Sequence, residues 1–448
     1  MAFSRRAERR KRRAEQWICT RATASEKTGL TATFRPPPFV SPAKMGQVGY
    51  PVAMTTHPLH APVNRGLALD ALSRYVEIDS VNPAFSDSGR DESGLAAVVA
   101  DDLRGLGLDT HIVAAEPGRD SVLGVLRGSG DGPSLMLYSH LDTVGVKGMR
   151  APFTAVEREG KLYARGAYDM KGGLAACVAA AAALAETGQP LAGDVWVAAV
   201  ADEENESVGI RTVLERFTPD AAIVTEPTDH RLCVAHKGFA WFEISTEGRA
   251  AHGSRYKEGQ DANLRMGRVL AELEKLERSL RTTSIPHHMV GPPSLHAAVL
   301  AGGTGISTYA AECKLQVERR TIPGETEAST RGELEDILAR LSLANDFHAR
   351  LETLLWRDAF EARTDSQIVP LVRECATRIL GERPLTAGES YWMDAAFLQA
   401  AGTDTVVFGP AGGGAHAAVE WVELDSVVQV AEVLAHTARS YCGTPTAQ

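Results

Sequence analysis

The chain has 448 residues, of which 44% are hydrophobic and 23% charged, so it can bury a full core and is long enough for two domains. Its net charge of −10 is unevenly spread: residues 1–54 carry 11 basic and 3 acidic residues, which leaves 36 basic and 54 acidic residues, a charge of −18, for the rest. Such an acidic body argues against a nucleic-acid-binding surface.

The six cysteines and the apolar runs narrow the class of protein further. The cysteines are scattered without a Cys-x-x-Cys pair, which is typical of reduced thiols in the cytoplasm rather than of a disulfide framework. No stretch reaches the roughly 18 consecutive apolar residues of a membrane-spanning helix. We therefore expect a cytoplasmic protein that has neither a membrane segment nor nucleic acid as a partner.

Residues 1–61 are predicted to be a disordered basic extension. They open with a run of arginines, contain an Arg-Pro-Pro-Pro sequence and show no sustained apolar period. One interpretation is a dispensable extension, with Met45 or Met54 as the working start. A basic arm for polyanions is a second, while a transit peptide is disfavoured by two glutamates and by the lack of an apolar stripe.

From Asn64 onwards the pattern alternates between helices and strands. Apolar residues at three- and four-residue spacing predict helices over 67–78 and 92–106, and the apolar run at 121–126 predicts a strand. Helices are also predicted over 366–380, from 391 onwards and over 424–441. This alternation predicts an α/β fold with a doubly wound sheet that helices cover on both faces.

A buried strand at 135–138 ends on His140 and Asp142. In an open α/β sheet, ligands bind beyond the carboxyl ends of the strands. A carboxylate two residues after a metal-binding histidine can accept the N–H of the other ring nitrogen and so fix the tautomer. On its own, however, such a pair is more often a solvated turn.

Two further segments offer carboxylates. Asp169 lies in a glycine-flanked loop before an alanine-rich helix, where the alternative role is a helix cap. The strand at 195–201 ends in the acidic run 202–204, whose carboxylates repel one another unless cations or solvent relieve the charge. A solvated acidic turn is the alternative there.

The last two segments complete a possible metal site. The strand at 222–225 ends in Glu226, and the glycines at 412–414 allow a tight fold that aims His416 inward. Nitrogen and oxygen donors without thiolate suit zinc, with cobalt or manganese as alternatives. A bridging carboxylate can hold two ions about 3.5–4 Å apart.

Residues 237–360 are predicted to form a second domain, inserted into a first that comprises residues 62–236 and 361–448. Its predicted elements follow the order strand, helix, strand, strand, helix, strand, at 239–245, 262–280, 295–300, 313–319, 331–344 and 348–356. This β-α-β-β-α-β order is the ferredoxin-like pattern.

The ligand candidates resemble, in type and order, the motifs of the M20 family of zinc amidohydrolases and peptidases, over residues 65 to 442 or so. These candidates are His140, Asp142, Asp169, Glu203, Glu204, Glu226 and His416. The resemblance implies a doubly wound catalytic domain with an inserted lid and dimerisation domain. It also implies two Zn²⁺ ions with a water between them.

The resemblance also assigns individual roles. His140, Asp169 and Glu226 would hold one ion, and Asp169, Glu204 and His416 the other. Asp142 would orient His140. Glu203 would be the general base that takes the proton of the water and returns it to the leaving nitrogen. Asp394 resembles a family aspartate near the site, with a helix cap as the alternative.

In the lid, the resemblance points to two substrate-contacting residues. His252 would stabilise the developing oxyanion, and Arg320 would bind the substrate carboxylate, although Arg319 is an equal candidate for the inward position. Helix 262–280 and its neighbouring strands would form a homodimer. Residues 307–310 depart from the family, where an asparagine usually contacts the substrate.

The predicted function is hydrolysis of the amide bond of an N-acyl amino acid, because residues 225–228 resemble those of acetylornithine deacetylases and desuccinylases most closely. The alternatives within the family are a dipeptidase, an aminopeptidase or a carboxypeptidase that acts on small peptides. The alternative of another class is a non-catalytic protein that binds amino acids or metal.

Overall fold

The computed structural model describes residues 62–86, 91–344 and 346–444. The predicted basic extension, residues 1–61, lies outside these residues. Within them the helices are α1 Arg65–Val76, α2 Ser93–Gly105, α3 Gly172–Glu186, α4 Val208–Leu214, α5 Ala262–Thr282, α6 Glu327–Leu341, α7 Ile368–Leu380, α8 Ala395–Ala400 and α9 Leu424–Cys442.

The strands form three sheets among the described residues, of nine, four and four strands. They are β1 Asp109–Ala114, β2 Asp120–Leu126, β3 Leu135–His140, β4 Val156–Arg158, β5 Lys161–Tyr163, β6 Val195–Val200, β7 Ala221–Val224, β8 Leu232–His236, β9 Gly238–Glu247, β10 Ser294–Gly302, β11 Glu312–Thr321, β12 Ala349–Arg357, β13 Phe360–Glu361, β14 Thr386–Glu389, β15 Asp404–Val407, β16 Gly412–Gly413 and β17 Trp421–Glu423.

The nine-stranded sheet has the order β1-β2-β6-β3-β7-β15-β8-β13, with β14 also paired to β8. Its centre, β6-β3-β7-β15, is parallel. Strand β3 is buried at every position because its continuous apolar run suits a strand covered on both faces. Leu135 and Leu137 pack with α1, α2, α3, α7 and α9, whereas Met136 and Tyr138 pack with α4 and α8. The doubly wound fold is confirmed.

Helix α3 is buried along almost its whole length, from Gly172 to Leu184. Its small alanine side chains allow it to pack against the sheet, α1 and α9 at once. At its first turn, a Cβ on Gly173 would lie 2.4 Å from the carbonyl oxygen of Thr225, so only glycine permits this approach. The loop that carries Asp169 is thereby brought next to the end of β7.

The four-stranded antiparallel sheet of residues 238–357 has the order β10-β11-β9-β12 and packs with α5 and α6 around a separate core. This is the predicted β-α-β-β-α-β unit. Helix α6 begins at Glu327 rather than at the predicted 331, because Thr326 and Ser329 form a reciprocal capping box that starts the helix earlier.

The chain passes into and out of this unit at adjacent points. β8 ends at His236 and β9 begins at Gly238, while Phe360 of β13 pairs with His236. These crossings are compatible with the proposed domain boundaries, which stay predictions. Within the described ranges, none of the helices combines the length and apolar character of a membrane-spanning segment.

Candidate metal centre

Four parallel strands deliver polar side chains to one edge of the large sheet. His140 is the last residue of β3, Glu203 and Glu204 follow β6, Glu226 follows β7, and the segment after β15 leads to His416. The carboxyl ends of neighbouring parallel strands meet at the same edge, so residues far apart in sequence come together there.

Asp169 lies between the two histidines. Its Oδ1 is 3.3 Å from Nε2 of His140, and its Oδ2 is 3.2 Å from Nε2 of His416. Nε2 of His140 is also 3.7 Å from Glu226, and Nε2 of His416 is 3.2 Å from Glu204. Each oxygen of one carboxylate therefore faces a different group of donors, which is the arrangement that a bridging ligand requires.

The backbone around His416 shows why glycines precede it. Gly414 has φ +81°, and a Cβ there would lie 1.9 Å from the carbonyl oxygen of Val419, so this turn can be made only by glycine. His416 itself has φ 62°, a left-handed conformation that is uncommon for a histidine. Its side chain is 56% exposed, so it is the most solvent-accessible of the proposed ligands.

Asp142 positions two parts of the site, His140 and the turn after β6. Nδ1 of His140 contacts the carbonyl oxygen of Asp142 at 2.9 Å, whereas the Asp142 carboxylate, which we expected to be its partner, is 3.5 Å away. That carboxylate instead accepts hydrogen bonds from the backbone N–H groups of Glu203 and Glu204, both at 3.1 Å. Asp142 thus positions His140 through its carbonyl and the turn after β6 through its side chain.

A buried network of hydrogen bonds and ion pairs holds the side chain of Asp142. Asn82 donates to Asp142 at 2.8 Å and to Asp202 at 2.9 Å. Arg119 donates to Asn82 at 3.0 Å, lies 3.2 Å from Asp202 and also hydrogen-bonds with Glu92. Burial and repulsion from Asp142 raise the pKa of Glu92 to about 8. Arg119 is thus the cation that offsets several buried carboxylates.

Glu420 fixes the position of the loop that carries Asp169. Its buried carboxylate accepts hydrogen bonds from the backbone N–H groups of Gly166, Tyr168 and Asp169, each at 3.0 Å, and from Arg165 at 2.6 Å. Glu420 therefore holds the loop that presents Asp169. No role for this glutamate was predicted from the sequence.

The donors fit a pair of divalent cations. Burial raises the pKa of Glu203, Glu204 and Glu226, and repulsion between neighbouring carboxylates adds to the effect. Oε1 of Glu204 is buried without a hydrogen-bond partner among the described residues. A nearby cation would satisfy this oxygen and favour the ionised carboxylates. The set of imidazole nitrogens and carboxylate oxygens suits zinc, cobalt or manganese.

A cavity of about 360 Å³ opens onto these groups. Its walls are partly aromatic: Tyr391 donates to the carbonyl oxygen of Pro227 at 2.9 Å, and Tyr168 donates to Asp229 at 2.8 Å. The lining residues are Tyr168, Asp169, Glu203, Glu204, Glu226, Pro227, Arg231, Tyr391, Trp392, Ala415 and His416. Sequence reasoning missed the aromatic residues and Arg231, because no motif with a known spacing contains them.

The predicted lid residues lie outside the cavity lining. His252 is exposed, and its Nδ1 is 2.9 Å from the hydroxyl of Ser254. Arg319 is fully buried, with ion pairs to Glu325 and Glu333, so it is a structural residue of the lid. Arg320 is partly exposed and is therefore the accessible member of the pair.

Asp394 is buried directly before α8, but its carboxylate does not cap the helix. It accepts a hydrogen bond from the hydroxyl of Tyr138 at 2.5 Å. Burial raises the pKa of Asp394 to about 6. The helix-cap alternative is thus wrong for this side chain, which lies behind the metal centre.

The sequence profile of the peptidase family M20/M25/M40 matches residues 136–440. An acetylornithine deacetylase from Proteus mirabilis (strain HI4320) is 28% identical over 384 residues, which cover 84% of this chain and 96% of that protein. An acetylornithine deacetylase from Myxococcus xanthus is 30% identical over 339 residues, which cover 72% of this chain and 84% of that protein.

Solved structures are similar over most of the chain. An aminopeptidase PepT from Bacillus cereus superposes with a TM-score of 0.70 at 18% identity and covers 85% of this chain and 100% of its own. The Bacillus subtilis YXEP protein, a dinuclear metal-binding peptidase of family M20, gives 0.64 at 14% identity, with 84% and 97% covered. The chain therefore belongs to the peptidase family M20/M25/M40 and is a hydrolase with the α/β fold of that family.

Proposed function

We propose that this protein hydrolyses the amide bond of N-acyl amino acids with the help of two divalent metal ions. The observation that carries the proposal is the position of Asp169, whose two carboxylate oxygens face His140 and His416 separately. The acetylornithine deacetylases among the relatives support a deacylase, and the family also contains peptidases.

The metal ligands are proposed to be His140, Asp169 and Glu226 for one ion and Asp169, Glu204 and His416 for the other. The short contacts among these side chains support this division. When bound, two such ions, for which we propose zinc, would supply Lewis-acid polarisation of the scissile carbonyl and lower the pKa of water.

Glu203 is proposed to be the general base. It lines the cavity beside the ligands, and its backbone N–H is held by Asp142 at 3.1 Å. Because burial raises the pKa of this carboxyl, it is suited to accept a proton from the attacking water and to return it to the leaving nitrogen. Glu204, whose Oε2 lies 3.2 Å from His416, is left as the ligand.

The lid is proposed to complete the site in a homodimer. His252 would then stabilise the oxyanion and Arg320 would bind the substrate carboxylate. Strand β10 lies at the edge of its sheet, with exposed Val299 and Leu300, which supports contact with a second copy. The five described cysteines are buried and unpaired, which supports a cytoplasmic location.

A matched substrate panel tests the proposed reaction. The protein is loaded with Zn²⁺, Co²⁺ or Mn²⁺ and offered N-acetyl amino acids beside free dipeptides of the same residues. We expect release of acetate from the acylated compounds. Cleavage of the dipeptides alone would assign a peptidase instead, and no turnover with any metal would favour the non-catalytic binding protein.

A further inference from the structure

The cavity wall carries one basic side chain that the proposed chemistry does not use. Arg231 is the single arginine or lysine among the described residues that line the cavity. It follows Asp229 and His230, whose φ angles of 52° and 59° are both left-handed. Two successive non-glycine residues in this conformation are costly, and the residue that follows them, Arg231, lines the same cavity as Glu226.

Two nitrogens of the Arg231 guanidinium hold it in place, and the third is available to bind a ligand. Its Nε donates to the carbonyl oxygen of Thr228 at 3.1 Å, and its Nη2 lies 2.7 Å from Glu389. The remaining nitrogen, Nη1, has no hydrogen-bond partner among the described residues, and the side chain is 39% exposed. A fixed guanidinium with a free edge is well suited to bind a carboxylate in its plane.

The neighbouring acids do not cancel this preference. The carboxylate of Asp229 is already occupied, because it accepts hydrogen bonds from the Tyr168 hydroxyl at 2.8 Å and from the backbone N–H of Gly412 at 3.2 Å. Glu389 is the ion-pair partner of Arg231, but its side chain is only 10% exposed whereas that of Arg231 is 39% exposed. The guanidinium is therefore the member of this pair that a ligand can reach.

We propose that Arg231 binds a carboxylate of the substrate, one additional to the α-carboxylate assigned to Arg320. The preferred substrates would then be N-acyl amino acids with a second negative group, on either the acyl chain or the amino-acid side chain. This inference rests on the proposed deacylase function for its substrate class, but the binding site itself does not require turnover.

The first test is binding and is independent of catalysis. Metal-loaded protein is titrated calorimetrically with succinate and with butyrate, which differ by one carboxylate. We expect succinate to bind at least tenfold more tightly, and Arg231→Met to remove this difference. Arg363→Met is the matched control, since Arg363 is an exposed arginine paired with Asp365 outside the cavity. Equal binding of the two acids by the unaltered protein would overturn the inference.

The second test identifies the part of the substrate that carries the group. kcat/KM is compared for N-succinyl against N-butyryl leucine, and for N-acetyl glutamate against N-acetyl glutamine. We expect a preference of tenfold or more for the anionic member of one pair, lost in Arg231→Met through a higher KM and partly restored in Arg231→Lys. An equal loss on every substrate would contradict a second carboxylate site.

Two further results separate a failure of the Arg231 inference from a failure of the proposed function. The double variant Arg231→Met/Glu389→Gln removes the carboxylate left unpaired by the single change, so any loss that it shares with the single variant belongs to substrate binding. If succinate binding depends on Arg231 but no N-acyl amino acid is hydrolysed, the inference stands and the proposed function falls.

Discussion

Arg119→Met should destabilise the protein and impair catalysis together. The Arg119 side chain is 11% exposed, and its partners Glu92 and Asp202 are 0% and 2% exposed. Removing one partner of a buried ion pair typically costs about 3–5 kcal/mol. Because a pKa of about 8 leaves Glu92 largely protonated at pH 7, the carboxylate that loses its cation is mainly Asp202, so we expect a cost at the lower end, about 3 kcal/mol.

The loss of stability in Arg119→Met should depend on pH, through the protonation of Glu92. The pKa of Glu92 is higher in the folded protein than its ordinary value of 4.5, so the folded state binds more protons between these values and loses stability as the pH rises through them. Without Arg119 the folded-state pKa should rise further. Below pH 8 both folded proteins keep this proton, so the deficit of the variant should change little between pH 5 and pH 7 and should grow above pH 8, where Glu92 ionises only in the parent.

Urea unfolding at several pH values, with kcat measured in parallel, checks this result. Arg104→Met is the matched control, because Arg104 forms an exposed ion pair with Asp101. Arg119→Met/Glu92→Gln should recover part of the lost free energy of unfolding. A single variant within about 1 kcal/mol of the parent, the scale of an exposed ion pair, and with unchanged kcat would refute the role given to the network.

Three other changes test separate parts of the account. Glu203→Gln should lower kcat by about 10²–10⁴-fold while two metal ions per chain remain in elemental analysis; loss of metal would mean that base and ligand have been exchanged. Glu420→Gln should weaken metal binding by about 10–100-fold in a chelator competition, because the loop of Asp169 loses its charged acceptor; unchanged affinity would remove Glu420 from this role. Burial lowers the pKa of His236 to about 4, so the folded state is stabilised less as the pH falls from 6.5 to 4, by up to about 3 kcal/mol. In His236→Phe this part of the acid loss should disappear from urea unfolding curves, and an unchanged pH slope would contradict it.

The order of elements could be predicted from sequence where the hydrophobic period is long. The continuous apolar run of β3 and the spacing in α5 predicted both elements close to their observed bounds. Short elements such as β1 and β8 were missed. Their signals are brief, and their stability comes from pairing with strands distant in the chain.

The candidate metal ligands could be predicted from the sequence for a different reason. His140, Glu204 and Glu226 follow strands that are clear in the sequence, so the rule that such strand ends converge could group them. Asp169 and His416 lie in loops, and they were added to the site from the resemblance to the M20 family. Asn82, Arg119 and Arg231 have no such signal. They reach the site through loops whose paths depend on tertiary contacts, and a lone arginine in a sequence is indistinguishable from a surface charge.

The role of Asp169 as a bridge between two metal ions is the central claim, and anomalous diffraction from zinc-loaded crystals tests it most directly. We expect two zinc peaks about 3.5–4 Å apart, one beside His140 and Glu226 and the other beside Glu204 and His416, with Asp169 in contact with both. A single peak, or two peaks of which only one contacts Asp169, would contradict the account.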